Sequence, residues 1–91
     1  MSARYHRHPD LRLTAVEGEG VVLHLGTRRY FTVNPTGLAI LEALDEPRSE
    51  DELVTILAAR FEVSAEDARP GARAFLARCV ASRLVRSDPA P

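Results

Sequence analysis

Lysine and tryptophan are missing from this 91-residue chain, and cysteine and methionine occur once each. The lone Cys79 excludes an internal disulfide and fits a reducing cytoplasm. No apolar run approaches the length needed to span a bilayer, and the N-terminal "MSARYHRHPD" has no apolar signal core. Together these absences predict a cytoplasmic protein that does not enter membranes. There is no glycine-rich phosphate loop, paired-carboxylate motif or nucleophile elbow, so the sequence predicts no enzyme and no cofactor. A net charge of −1 argues against a dedicated nucleic-acid binder, because neutralising phosphates supplies most of that affinity.

What is present is a composition ordinary for one folded domain, 45% hydrophobic and 27% charged, too short for two cores. All 12 basic residues are arginine, which with the many Ala and Val reflects a GC-rich genome rather than selection for guanidinium chemistry. Residues 1–8 are expected to form a flexible arm, 9–86 the domain, and 87–91 a flexible tail.

"LRLTAV" (Leu11 to Val16) alternates as a half-buried strand does, "EGEG" is a turn, and "VVLHL" (Val21 to Leu25) is a more apolar, central strand. After the "GTRR" turn, "YFTV" (Tyr30 to Val33) is a third strand, giving an antiparallel meander. The period then becomes helical. Leu38, Leu41 and Leu44 mark one helix behind a cap at Asn34 or Thr36. Leu53, Ile56, Leu57 and Phe61 mark a second behind the Ser49–Glu52 capping box. Ala68, Ala72, Phe75, Leu76, Cys79, Val80 and Leu84 mark a third. Pro70-Gly71 should kink this last helix near Arg69 or start it at Pro70, because an interior proline costs about 3 kcal/mol. The order β-β-β-α-α-α is that of an α+β, winged helix-turn-helix-like fold.

Each candidate for chemistry has a plainer reading. His6-x-His8 lacks the further ligands a metal site needs. Cys79, with His24 as a conceivable base, sits on an apolar stripe where free cysteine behaves as a small hydrophobe. The acids between Glu42 and Glu52 suit a loop and a helix N-terminus. Arg69, Arg73, Arg78, Arg83 and Arg86 would meet phosphates in a winged-helix DNA-binding protein, face solvent in a bland one, or attract an acidic peptide.

The chain has five aromatics, two Tyr and three Phe, and "RRYFTVNPTG" places two of them side by side on a short strand at the sheet edge. Arg28, Arg29 and Pro35 guard only its ends. Such an edge is either covered by a loop or the N-terminal arm, or open to a peptide that adds a strand.

"HLGTRRYFTVNPTGLAILEAL" resembles the signature of PqqD-like peptide-recognition domains, as do "DELVTILAARFEVSAED" and "AFLARCVASRLV". The similarity covers roughly residues 9–86; Arg83 stands where the family commonly has glycine, and Pro70-Gly71 is a further departure. The resemblance implies a non-catalytic RiPP recognition element, which binds the leader of a ribosomally made precursor peptide as an extra strand in a cleft against the third helix. "YFTVNPTG" on a short chain is most similar to the leader-binding proteins of split lasso-peptide systems, which serve a separate leader-removing cysteine protease. A PqqD-type chaperone for a radical enzyme is the near alternative. On this reading Arg29, Tyr30, Phe31, Thr32 and Val33 pair with the leader, while Phe31 and Val33 also anchor the strand. Ala72, Leu76, Cys79 and Val80 line the cleft, and Arg69 and Arg73 meet an acidic leader side chain. A charge at Leu76 should then abolish binding while the fold survives.

Overall fold

The computed structural model describes residues 3–88. Its main sheet is the expected meander: β2 (Leu11–Val16), β3 (Glu19–His24) and β4 (Arg29–Val33), following a short β1 (Arg4–Arg7). β2 and β3 are joined at Glu17-Gly18, both with positive φ (52° and 85°), a geometry that matches the twist of a two-residue hairpin. β3 is central, with Val22 fully buried. A side chain at Gly20, opposite Val33, would come within 2.6 Å of the Val33 side chain, so the missing Cβ lets β4 and Leu38 close over the strand.

Three helices follow: α1 (Pro35–Ala43), α2 (Glu50–Phe61) and α3 (Ala65–Ala81). Asn34 caps α1, and both halves of the Ser49–Glu52 capping box are formed, at 2.9 and 3.2 Å. Ser64 Oγ accepts the Asp67 N–H at the start of α3. The core gathers Leu11, Val22, Ile40, Leu41, Leu53, Leu57 and Leu76. On α2 it takes Val54 rather than Phe61, whose ring lies at the surface under the Arg60 guanidinium.

α3 runs through Pro70 as one helix rather than starting there. Pro70 and Gly71 are both exposed, so the Glu66 carbonyl that loses its helical donor can turn to water.

The expected N-terminal arm is corrected. β1 lies between β5 (Arg48–Ser49) and β6 (Val85–Asp88), making a second antiparallel sheet in which Arg4 opposes Asp88. His6 Nε2 and an Asp88 carboxylate oxygen are 2.6 Å apart across it. Ser87 and Asp88, placed in a flexible tail by the sequence, belong to β6. Residues 1–2 and 89–91 lie outside the described residues.

Candidate peptide-binding groove

Among the described residues β4 pairs with β3 on one side only, which leaves its other backbone edge open. Two local devices set it there. Arg28, at φ 60°, turns the chain back from β3, its N–H donating to the His24 carbonyl at 2.8 Å. At the far end Asn34 Oδ1 accepts the Gly37 N–H at 2.8 Å and Pro35 opens α1, so "VNPTG" is a strand-to-helix switch. Within β4, Phe31 and Val33 are half-buried against the core, and Tyr30 is 73% exposed on the opposite face.

Between β4 and α3 lies a groove of about 400 Å³. Phe31, Thr32 and Val33 form one wall; Phe75, Arg78, Cys79 and Ser82 form the other, with Leu84 beyond the helix end. The walls mix apolar side chains with Thr32, Arg78 and Ser82, and two arginines stand beside the aromatic rings. The Arg29 guanidinium lies 5.9 Å from the Phe31 ring centre and that of Arg78 lies 6.0 Å from Phe75, distances suited to cation–π contact. No acid lines the groove among the described residues.

Gly37 sets the position of Phe75. A Cβ there would lie 2.7 Å from the nearest Phe75 ring carbon, so the glycine lets the ring sit against the start of α1. Gly37→Ala should swing the ring into the groove and weaken ligand binding about tenfold. Its melting temperature should stay within a few degrees of wild type, because alanine favours the helix by about 1 kcal/mol. Calorimetric titration and thermal melts of the same sample measure both; unchanged affinity would mean the ring yields in another direction.

The sequence-derived candidates separate on the structure. Arg29 to Val33 form the open strand, and Cys79 lines the groove. Ala72 and Leu76, each 1% exposed, are core residues rather than cleft lining. Val80 lies along a different groove, beside Pro9, Arg83 and Val85. Arg69 and Arg73 hold the N-terminus of α2: both donate to Glu50, at 2.8 to 3.0 Å, and Arg69 also pairs with Asp51 at 2.8 Å. Arg73, with Arg69, holds the Glu50 carboxyl below its ordinary pKa against the opposing pull of burial. This cluster therefore steadies the fold above the usual glutamate range, and its contribution fades as pH falls through Glu50's depressed value. Phe75, Arg78, Ser82, Leu84 and Asn34 are the groove residues that sequence reasoning did not assign. Phe75, Cys79 and Ser82 recur at helical spacing, a signal that fits a groove-facing stripe.

Burial pushes the Cys79 thiol up to about 11, so at neutral pH it is protonated and a poor nucleophile. His24, its conceivable partner, is buried against His8 with ring centres 4.4 Å apart. His8, Asp10 and His24 bring potential ligand atoms within 4.8 Å of one another. Yet the Nδ1 of His8 accepts the Asp10 N–H and that of His24 accepts the Thr27 N–H. The trio reads as a hydrogen-bonded corner joining β1, β2 and the β3–β4 turn.

No curated protein matches the chain. Among solved structures it is similar to TbiB1 in complex with the TbiA(beta) leader peptide, with a TM-score of 0.76 and 25% identity over 89% of this chain and 94% of that one. The family described as coenzyme PQQ synthesis protein D (PqqD) matches residues 19–85, a span that contains β3, β4 and all three helices, and with them both walls of the groove. The chain belongs to the PqqD family.

Proposed function

We propose that this protein binds the leader segment of a ribosomally made precursor peptide and presents it to a separate maturation enzyme. The leader adds as a fourth strand on the open edge of β4, and alternate side chains enter the apolar groove against α3. The observation that carries this reading is the unpaired edge of β4 beside that groove, in a chain whose fold is that of a leader-bound neighbour. The finer assignment is to lasso-peptide maturation in the cytoplasm, with a leader-removing cysteine protease as the receiving enzyme. The protonated, buried thiol supports a carrier that leaves the chemistry to that partner. No helix among the described residues is long and apolar enough to cross a membrane. The DNA-binding alternative loses two of its five arginines, because Glu50 and Asp51 already neutralise Arg69 and Arg73.

Fluorescence anisotropy with the labelled leader of a cognate precursor peptide tests the reading at two salt concentrations. Wild-type protein should bind saturably with little salt dependence, and Ser82→Trp, which fills the groove from an exposed position, should weaken binding at least 30-fold without lowering the melting temperature. No binding to that leader, or equal binding by Ser82→Trp, defeats it. Steeply salt-dependent binding to duplex DNA instead would restore the winged-helix alternative.

A further inference from the structure

A second groove, of about 770 Å³, runs between β1, the C-terminal end of α3 and β6. Its lining mixes apolar surface from Pro9, Val80 and Val85 with Arg83 and Arg86, and includes no acid among the described residues. Arg7 also borders it but donates to the Leu41 carbonyl at 2.9 Å, and the neighbouring Asp88 is held by His6. Arg83 and Arg86 form no ion pair among the described residues. In a chain of net charge −1, this is a local concentration of uncommitted positive charge.

Arg83 occupies its place under strain. α3 ends with the Leu84 N–H donating to the Cys79 carbonyl at 2.9 Å and the Arg83 N–H to the Val80 carbonyl at 3.1 Å. That pairing needs a left-handed residue at position 83, where glycine is free of strain and arginine, at φ 62°, is not. Strain alone says little, since Glu62 closes α2 in the same left-handed conformation. What singles out Arg83 is that its side chain lines a basic groove.

The two grooves share a wall. Cys79, Ser82 and Leu84 face the groove beside β4, while Val80, Arg83 and Val85 face this one. An α-helix is about 10 Å across, so an extended peptide leaving the first groove reaches the second within roughly four residues. We propose that the basic groove takes an acidic segment of the same precursor peptide, a few residues away from the segment that pairs with β4. This rests on the leader-docking reading above. The apolar floor favours side chains over phosphates, and two arginines are few for a nucleic-acid track.

The test uses the fluorescein-labelled leader of the cognate precursor peptide, and the same peptide with its Asp and Glu residues outside the strand-forming segment changed to Asn and Gln. Each is titrated against wild type, Arg83→Gly with Arg86→Gln, and Ser82→Trp. The double variant should melt no lower than wild type, because glycine relieves the left-handed strain, yet bind the native leader about tenfold more weakly from the loss of two charge-assisted contacts. The neutralised peptide should bind both proteins equally, at that weaker level. If the double variant holds the native leader as tightly as wild type while Ser82→Trp loses it, the β4 reading stands and the second groove falls. Equal losses for native and neutralised peptides also overturn it. Competition by duplex DNA against wild type but not the double variant would reassign the groove to nucleic acid. If wild type does not bind the native leader at all, both readings fail together.

Discussion

Leu76→Glu should leave the chain unfolded at 25 °C, rather than folded and unable to bind. The side chain is 1% exposed, in the core that joins α3 to α1 and α2. Removing a buried leucine costs about 2–5 kcal/mol in transfer and cavity terms. Placing a carboxylate there without a partner adds several kcal/mol more, whether it stays charged or takes up a proton. At roughly 0.05–0.15 kcal/mol per residue, a domain of this size has about 5–14 kcal/mol in all, and small domains sit toward the lower end. Far-ultraviolet circular dichroism should show the loss directly, while Leu76→Met, which keeps the volume, should still melt cooperatively within about 1.5 kcal/mol of wild type. A cooperative, wild-type-like melt from Leu76→Glu would mean that α3 presents a different face to the core.

N-methylation of the leader should strongly weaken binding in one alternating register and spare it in the other. A strand added to β4 directs every second N–H toward the protein and the rest toward solvent. Methylating two or three N–H groups of the inward set removes their hydrogen bonds, each worth about 0.5–1.5 kcal/mol net, and forces methyl groups against the strand. The expected loss is on the order of 100-fold, whereas methylating the outward set should change affinity less than threefold. Side chains are untouched in both peptides, so the contrast isolates backbone pairing from groove filling. Equal losses in both registers would show that the peptide docks in some form other than a strand. The same scan identifies which leader residues form the strand.

The meander and the three helices were legible because their signals are local. Alternation marks "LRLTAV", and the Asn34 and Ser49 caps mark where the first two helices begin. The second sheet was not, since "RYHR" and "VRSD" are mostly polar and pair across nearly the whole chain. A strand of that kind is stabilised by its partner, which no short window contains. On α3 the apolar stripe was visible, but not which neighbour each part of it faces. Ala72 and Leu76 look inward, while Phe75, one position before Leu76, looks into the groove beside β4. Arginine spacing misled for a similar reason: Arg69 and Arg73 are spoken for by Glu50, which precedes them by about twenty residues and is brought close only by the packing of α2 on α3. The small residue that admits Phe75, Gly37, was in plain view within "NPTG", but its partner across the fold was not.

Because Arg4 stands opposite Asp88 in adjacent strands, the polypeptide enters and leaves the domain about 5 Å apart. A surface loop of another protein can accept such a unit without being stretched, since its two ends need only span one strand spacing. Spliced into a catalytic chain, such a domain would tether a captured peptide to that enzyme, turning a diffusive hand-over into an intramolecular one.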